Sequence, residues 1–135
     1  MKTATSKIII KNSLNNIKDV MNWIKIDLKP LFQVENRYQN LKLCLQEAVT
    51  NSIIHGNQSD EKRKVKISYF ISDTLKIEIE DEGNGVALEK QNCDIKDIKK
   101  EDIFKESGRG LMLMKHFCDE VIFDKNKTTL IVRYK

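Results

Sequence analysis

The chain is 135 residues long, 40% hydrophobic and 33% charged, with 24 basic and 20 acidic residues and a formal charge of +4. That balance excludes disorder, and the length suits a single domain over residues 1–135 that buries roughly two thirds of its unfolded surface. The longest apolar runs, such as Ile8–Ile10, are too short for a membrane span or a signal peptide, and the lysines are scattered with few aromatics among them; a cytoplasmic protein is expected, with no membrane and no direct nucleic-acid contact.

Thr5–Lys11 reads as a strand. Asn12 or Ser13 then caps a helix whose apolar residues Leu14, Ile17, Val20, Met21, Ile24 and Leu28 keep 3–4 spacing, and Pro30 breaks it. A second helix is expected from about Gln33 to His55, burying Tyr38, Leu41, Leu45, Ala48, Val49, Ser52 and Ile53, with Ile54 also apolar, and ending at Gly56-Asn57. Two alternating strands follow, one with Val65, Ile67, Tyr69 and Ile71 on one side, the other with Leu75, Ile77 and Ile79, joined by a turn at Ser72-Asp73-Thr74. Continuing the second alternation puts Asp81 on the apolar side, where a carboxylate is costly unless something takes its hydrogen bonds. Residues 86–107 are polar and weakly patterned, with a helical turn or two expected over Ile98–Phe104; a stretch this long in a compact domain is functional or mobile. Leu111, Met114, Phe117, Cys118 and Val121 mark a third helix entering a strand near Val121–Phe123. The last strand, Thr128–Tyr134, puts Thr128 on the core side and turns Thr129 outward. The three cysteines, Cys44, Cys93 and Cys118, form no close sequence pair, which points to a reducing compartment and away from a metal cluster.

Two features stand out from this pattern. Glu47, Asn51 and His55 recur every four residues and so stack as one polar stripe along the second helix. Glu47 and Asn51 lie away from the buried face, so the stripe fronts solvent or a cavity. The five glycines are Gly56, Gly83, Gly85, Gly108 and Gly110, and four of them form Gly-x-Gly pairs. DEGNG (81–85) follows a strand, whereas ESGRGL (106–111) opens a helix, where free N–H groups and the helix dipole suit phosphate. There is no GxxxxGK[ST] and no GxGxxG, so neither a P-loop nor a dinucleotide fingerprint is present.

Taken in order, a Glu-x-x-x-Asn helix, a post-strand Asp-x-Gly-x-Gly, a Gly-x-Gly helix start after a long polar segment, and a threonine on a closing strand resemble the Bergerat-fold (GHKL) ATPases. The wording EAVTNSIIHGN, DEGNGV and ESGRGLMLMKHFCDEV is closest to the anti-sigma factor serine/threonine kinases of the RsbW type, and the resemblance covers about residues 5–134. It implies an α+β fold: a two-layer sandwich with a mixed, mostly antiparallel sheet covered on one face by helices.

The resemblance also implies roles. Asn51 would hold Mg²⁺ against the ATP phosphates, and Glu47 would be the general base towards a serine or threonine hydroxyl. Asp81 would accept a hydrogen bond from the adenine amino group, with Gly83 and Gly85 admitting the base and Thr128 supporting it. Residues 86–107 would form a lid. Gly108 and Gly110, beside Leu111, would bring N–H groups to the phosphates. Arg109 would stabilise transferred charge or grip a partner, and His55 would reach the phosphate region. The lid lacks the prolines common in the family, and Val86 stands where an aromatic is common. The implied partners are a sigma factor, which the protein sequesters, and an anti-anti-sigma (STAS-type) antagonist, which it phosphorylates, with the protein acting as a homodimer. A non-catalytic ATP/ADP-binding switch is the alternative. The catalytic domain of a sensor histidine kinase fits less well, since no dimerisation helix with an acceptor histidine precedes the motifs.

Overall fold

The computed structural model describes residues 4–83 and 106–134. Five strands form one sheet: β1 (Ala4–Lys11), β2 (Lys64–Ile71), β3 (Leu75–Glu80), β4 (Glu120–Asp124) and β5 (Lys127–Val132), in the order β1-β2-β3-β5-β4. Every pairing among them is antiparallel, in line with the expected α+β fold and its mostly antiparallel sheet, and no parallel pair occurs among the described residues. The hairpin connections explain this: β2–β3 and β4–β5 are joined by short turns, which permit only antiparallel neighbours. Three helices lie against one face: α1 (Ile17–Asp27), α2 (Glu35–Asn51) and α3 (Glu106–Phe117).

Alternation along the strands builds the layer boundary. Ile10, Val65, Ile67, Leu75, Ile77, Ile79, Leu130 and Val132 are buried on the helix-facing side, against Val20 and Ile24 from α1, Leu28 just after it, and Leu41, Leu45, Ala48 and Val49 from α2. Burying a side chain of this size stabilises the fold by about 1.5–3 kcal/mol relative to exposure. Tyr69 joins this core and keeps its polar end satisfied: its hydroxyl donates to Asp27 Oδ2 at 2.8 Å, and its ring lies 5.3 Å from that of Trp23. The opposite face carries charge. Lys66–Glu80, Lys76–Glu78 and Lys127–Glu78 pair at 3.6–3.9 Å in partly exposed positions, where each contributes at most about 1 kcal/mol.

Cys44 and Cys118 are buried together where α2 meets the end of α3. A hydrogen bond between them, followed by burial, pushes the Cys44 thiol up, so it stays protonated and unreactive.

Three local expectations are revised. Residues 14–16 form a 3-10 turn capped by Ser13, whose Oγ accepts from Asn15 N at 3.3 Å, and this turn leaves Leu14 51% exposed rather than in the core. Ile54 is 36% exposed, because it lies seven residues from Glu47 and so returns to the polar stripe. Thr129 is buried on the outer face, since β5 is flanked there by β3 and β4. Among the described residues no helix is long and apolar enough to cross a membrane.

Candidate functional site

The polar stripe on α2 does not front open solvent. Asn51 is 5% exposed and Glu47 and His55 are half-buried. α-helical bonding stops at Asn51, and Ser52–Gly56 continue as a wider π turn, a local irregularity that often marks functional sites. Asn57 N donates to Ser52 O at 2.7 Å and Ser59 N to Ile53 O at 2.8 Å, closing the turn. The chain leaves it through Gln58 and Ser59 with φ of 53° and 58°. Two successive non-glycine residues in the left-handed region cost on the order of 1 kcal/mol each, so surrounding contacts must hold them.

Those contacts converge on the segment after β3. Asp81 is 2% exposed, as the alternation of Leu75, Ile77 and Ile79 requires. Its carboxylate lies against the bare α-carbon of Gly56: a Cβ there would stand 2.5 Å from Asp81 Cγ. A Cβ on Gly83 would stand 2.7 Å from the Gly56 carbonyl carbon and 2.9 Å from Asp81 Oδ1. Only glycine fits at both places, so the end of the π turn, Asp81 and Gly83 form one close-packed cradle.

Within it the two carboxylate oxygens differ. Oδ1 accepts from Gly83 N at 2.8 Å. Oδ2 is buried and makes no hydrogen bond of good geometry, and the nearby Ser52 Oγ is likewise buried without one. Burial raises the Asp81 pKa above the ordinary carboxylate value; the Gly83 N–H, the Ser52 hydroxyl and the positive charge of Arg63 pull against that rise, and Glu80 adds to it. An acceptor placed this way, with one oxygen held by Gly83 N and the other buried beside the Ser52 hydroxyl, suits a polar ligand edge that donates a hydrogen bond.

Asparagines hold the segment from three sides. Asn126 carries the Asp81 main chain: Asp81 N donates to Asn126 O at 2.9 Å, and Asn126 Nδ2 donates to Asp81 O. Asn57, fully buried, accepts from Glu82 N at 2.7 Å and donates through Nδ2 to Lys64 O at 2.9 Å and Asn12 Oδ1 at 3.0 Å. Asn12, also buried, donates to Asp60 O at 3.0 Å and Ile53 O at 3.3 Å.

The sequence motifs therefore converge in part. Asp81 and Gly83 meet the π turn that directly follows Asn51, and Thr128 pairs with Ile79 on the face that Asp81 shares. His55 stands within that turn. α3 already begins at Glu106, so Gly108 and Gly110 lie inside its first turns rather than ahead of it. Gly85, the expected lid to residue 105 with its turn over 98–104, Val86, Cys93 and the side chains of Arg109 and Leu111 lie outside the described residues. In the sequence Ser52 read only as part of the buried face, Asn12 only as a possible cap and Gly56-Asn57 only as a helix stop, and Asn126 was not marked at all. The one available signal was Gly56, the glycine outside both pairs.

Residues 30–134 match the histidine kinase-like ATPase domain family. The chain is 39% identical over 100 residues to the anti-sigma F factor of Clostridium perfringens strain SM101, covering 71% of this chain and 70% of that protein. It is 38% identical over 95 residues to the anti-sigma F factor of Geobacillus sp. strain WCH70, covering 67% and 64%. It is 28% identical over 102 residues to the serine-protein kinase RsbW of Listeria monocytogenes, covering 71% and 65%.

Proposed function

The chain belongs to the histidine kinase-like ATPase domain family, and from that premise we propose that it binds Mg²⁺-ATP, sequesters a sigma factor, and phosphorylates a small anti-anti-sigma antagonist on serine or threonine. The observation that carries the reading is the buried Asp81 carboxylate, with its unpartnered Oδ2, in a cradle that only Gly56 and Gly83 permit. The adenine amino group is a donor of the right size and polarity for that oxygen.

The remaining roles are those the family resemblance implies for these positions. Asn51, buried at the end of α2, offers a neutral amide oxygen to a magnesium ion. Among the described residues no three His, Cys, Asp or Glu gather as a metal cage, so such an ion would take its other ligands from phosphate and water. When bound, magnesium supplies charge neutralisation at the phosphates. Glu47, one turn before Asn51, would take the proton from the acceptor hydroxyl as its oxygen bonds the γ-phosphorus and ADP leaves. The first turn of α3, with Gly108, would offer main-chain N–H groups to phosphate, and Arg109 suits the transferred charge. Phosphate on the antagonist would add roughly two negative charges and break its hold, returning the protein, as a homodimer, to its sigma factor.

The test mixes purified protein, Mg²⁺-ATP and the cognate antagonist. Phosphoantagonist should accumulate, and Glu47→Gln should slow it by roughly 10²–10⁴-fold with ATP affinity little changed. ATP binding without any phosphoprotein would refute the kinase reading and leave the non-catalytic switch, which the relatives named simply anti-sigma F factor also accommodate.

A further inference from the structure

We propose that Asn57, backed by Asn12, is a positioning residue for nucleobase selection, its buried amide fixing where the Asp81 carboxylate stands. This rests on the reading of Asp81 as the acceptor for the adenine amino group.

Both Nδ2 hydrogens of Asn57 are used, on Lys64 O and Asn12 Oδ1, and its Oδ1 takes the N–H of Glu82. The Asn12 amide is equally committed, to Ile53 O and Asp60 O as donor and to Asn57 as acceptor. Neither amide can rotate without losing several bonds at once, and a buried amide that loses them is strongly disfavoured. The pair therefore acts as one rigid clasp across the end of β1, the π turn, the start of β2 and the segment after β3.

Its outer end is placed where base recognition is decided. Glu82 N lies between the Asp81 carbonyl, held by Asn126, and Gly83 N, which holds Asp81 Oδ1. Loss of the Asn57 oxygen removes one of the two bonds on the Asp81–Glu82 peptide, leaving it on Asn126 at the Asp81 carbonyl, with the Glu82 side chain on Lys64 N. The carboxylate would then shift relative to Gly56, and a hydrogen bond to a ligand amino group weakens steeply with such a shift. A residue that only filled space after the π turn would not need three hydrogen bonds matched to three separate segments.

The test compares ATP with the same triphosphate carrying hydrogen in place of the 6-amino group, by calorimetry. Phosphate contacts are common to both nucleotides, so the affinity ratio reports the base end alone. The unaltered protein should favour ATP by roughly 10- to 100-fold, the range for a hydrogen bond to a charged group. Asn57→Ala should bring that ratio to within about threefold of unity, whereas Asn12→Ala, which leaves Glu82 N on Asn57, should lower it by an intermediate factor. Urea unfolding checks that each variant is folded. If Asn57→Ala is not, the ratio measured for Asn12→Ala decides: a lowered ratio supports the clasp and an unchanged one overturns it. Variants that lose stability yet keep the full ATP preference make the amides structural only. An unaltered protein with no preference for ATP overturns the Asp81 reading itself, and the clasp with it.

Discussion

Asp81→Asn should leave the protein more stable and a poor binder of ATP. Asp81 Oδ1 is held by Gly83 N at 2.8 Å, and an asparagine oxygen can keep that bond. Oδ2 is buried with no good hydrogen bond, next to a Ser52 Oγ in the same position. A buried acceptor without a partner costs about 1–3 kcal/mol, more when charged, and an amide nitrogen there can donate to Ser52 for about another 1 kcal/mol. We expect a net gain of about 1–3 kcal/mol at pH 7, together with a loss of ATP affinity of roughly 10- to 100-fold. The sign of the pH dependence follows from burial, which raises the folded-state pKa of Asp81 above its unfolded value. The unfolded chain gives up the proton first, near pH 3.9. The native protein therefore loses stability as pH climbs from there through the raised folded value. The asparagine variant lacks that loss, so its advantage is full at pH 7 and absent below about pH 4. Urea unfolding at both pH values, with ATP titrations alongside, measures all of this. A variant less stable than the parent at pH 7, or an advantage that persists in acid, would show that the carboxylate is fully satisfied without a ligand.

Gly56→Ala would set a methyl group 2.5 Å from Asp81 Cγ, so it should destabilise by about 1–3 kcal/mol and abolish measurable ATP binding at concentrations that saturate the parent; retained affinity in calorimetry would contradict the cradle. Ser59→Gly relieves a left-handed residue at φ 58° and should raise stability by about 0.5–1 kcal/mol in urea unfolding, with ATP affinity unchanged within about twofold.

The parts of this fold that were legible share one trait: their cause is local. Alternation from Leu75 to Ile79 placed Asp81 inside, and spacing on α2 placed Leu41, Leu45, Ala48 and Val49 in the core. One antiparallel pair followed from the short turn at Ser72-Asp73-Thr74, whereas the order of the whole sheet did not. What stayed hidden was long-range. Asn12 and Asn57 lie 45 positions apart in the chain, and neither interrupts an apolar pattern, so nothing in the chain text marks them as buried. The π turn is likewise invisible to a 3.6-residue period, which is why Gly56 read as a helix stop and not as the floor beneath Asp81.

Asn12, Asn57 and Asn126 carry no charge at any ordinary acidity. Mobile ions have nothing on them to shield, and protons have nothing to occupy. The amide scaffold around the carboxyl group thus keeps its bonds across solutions that would loosen an ionic one.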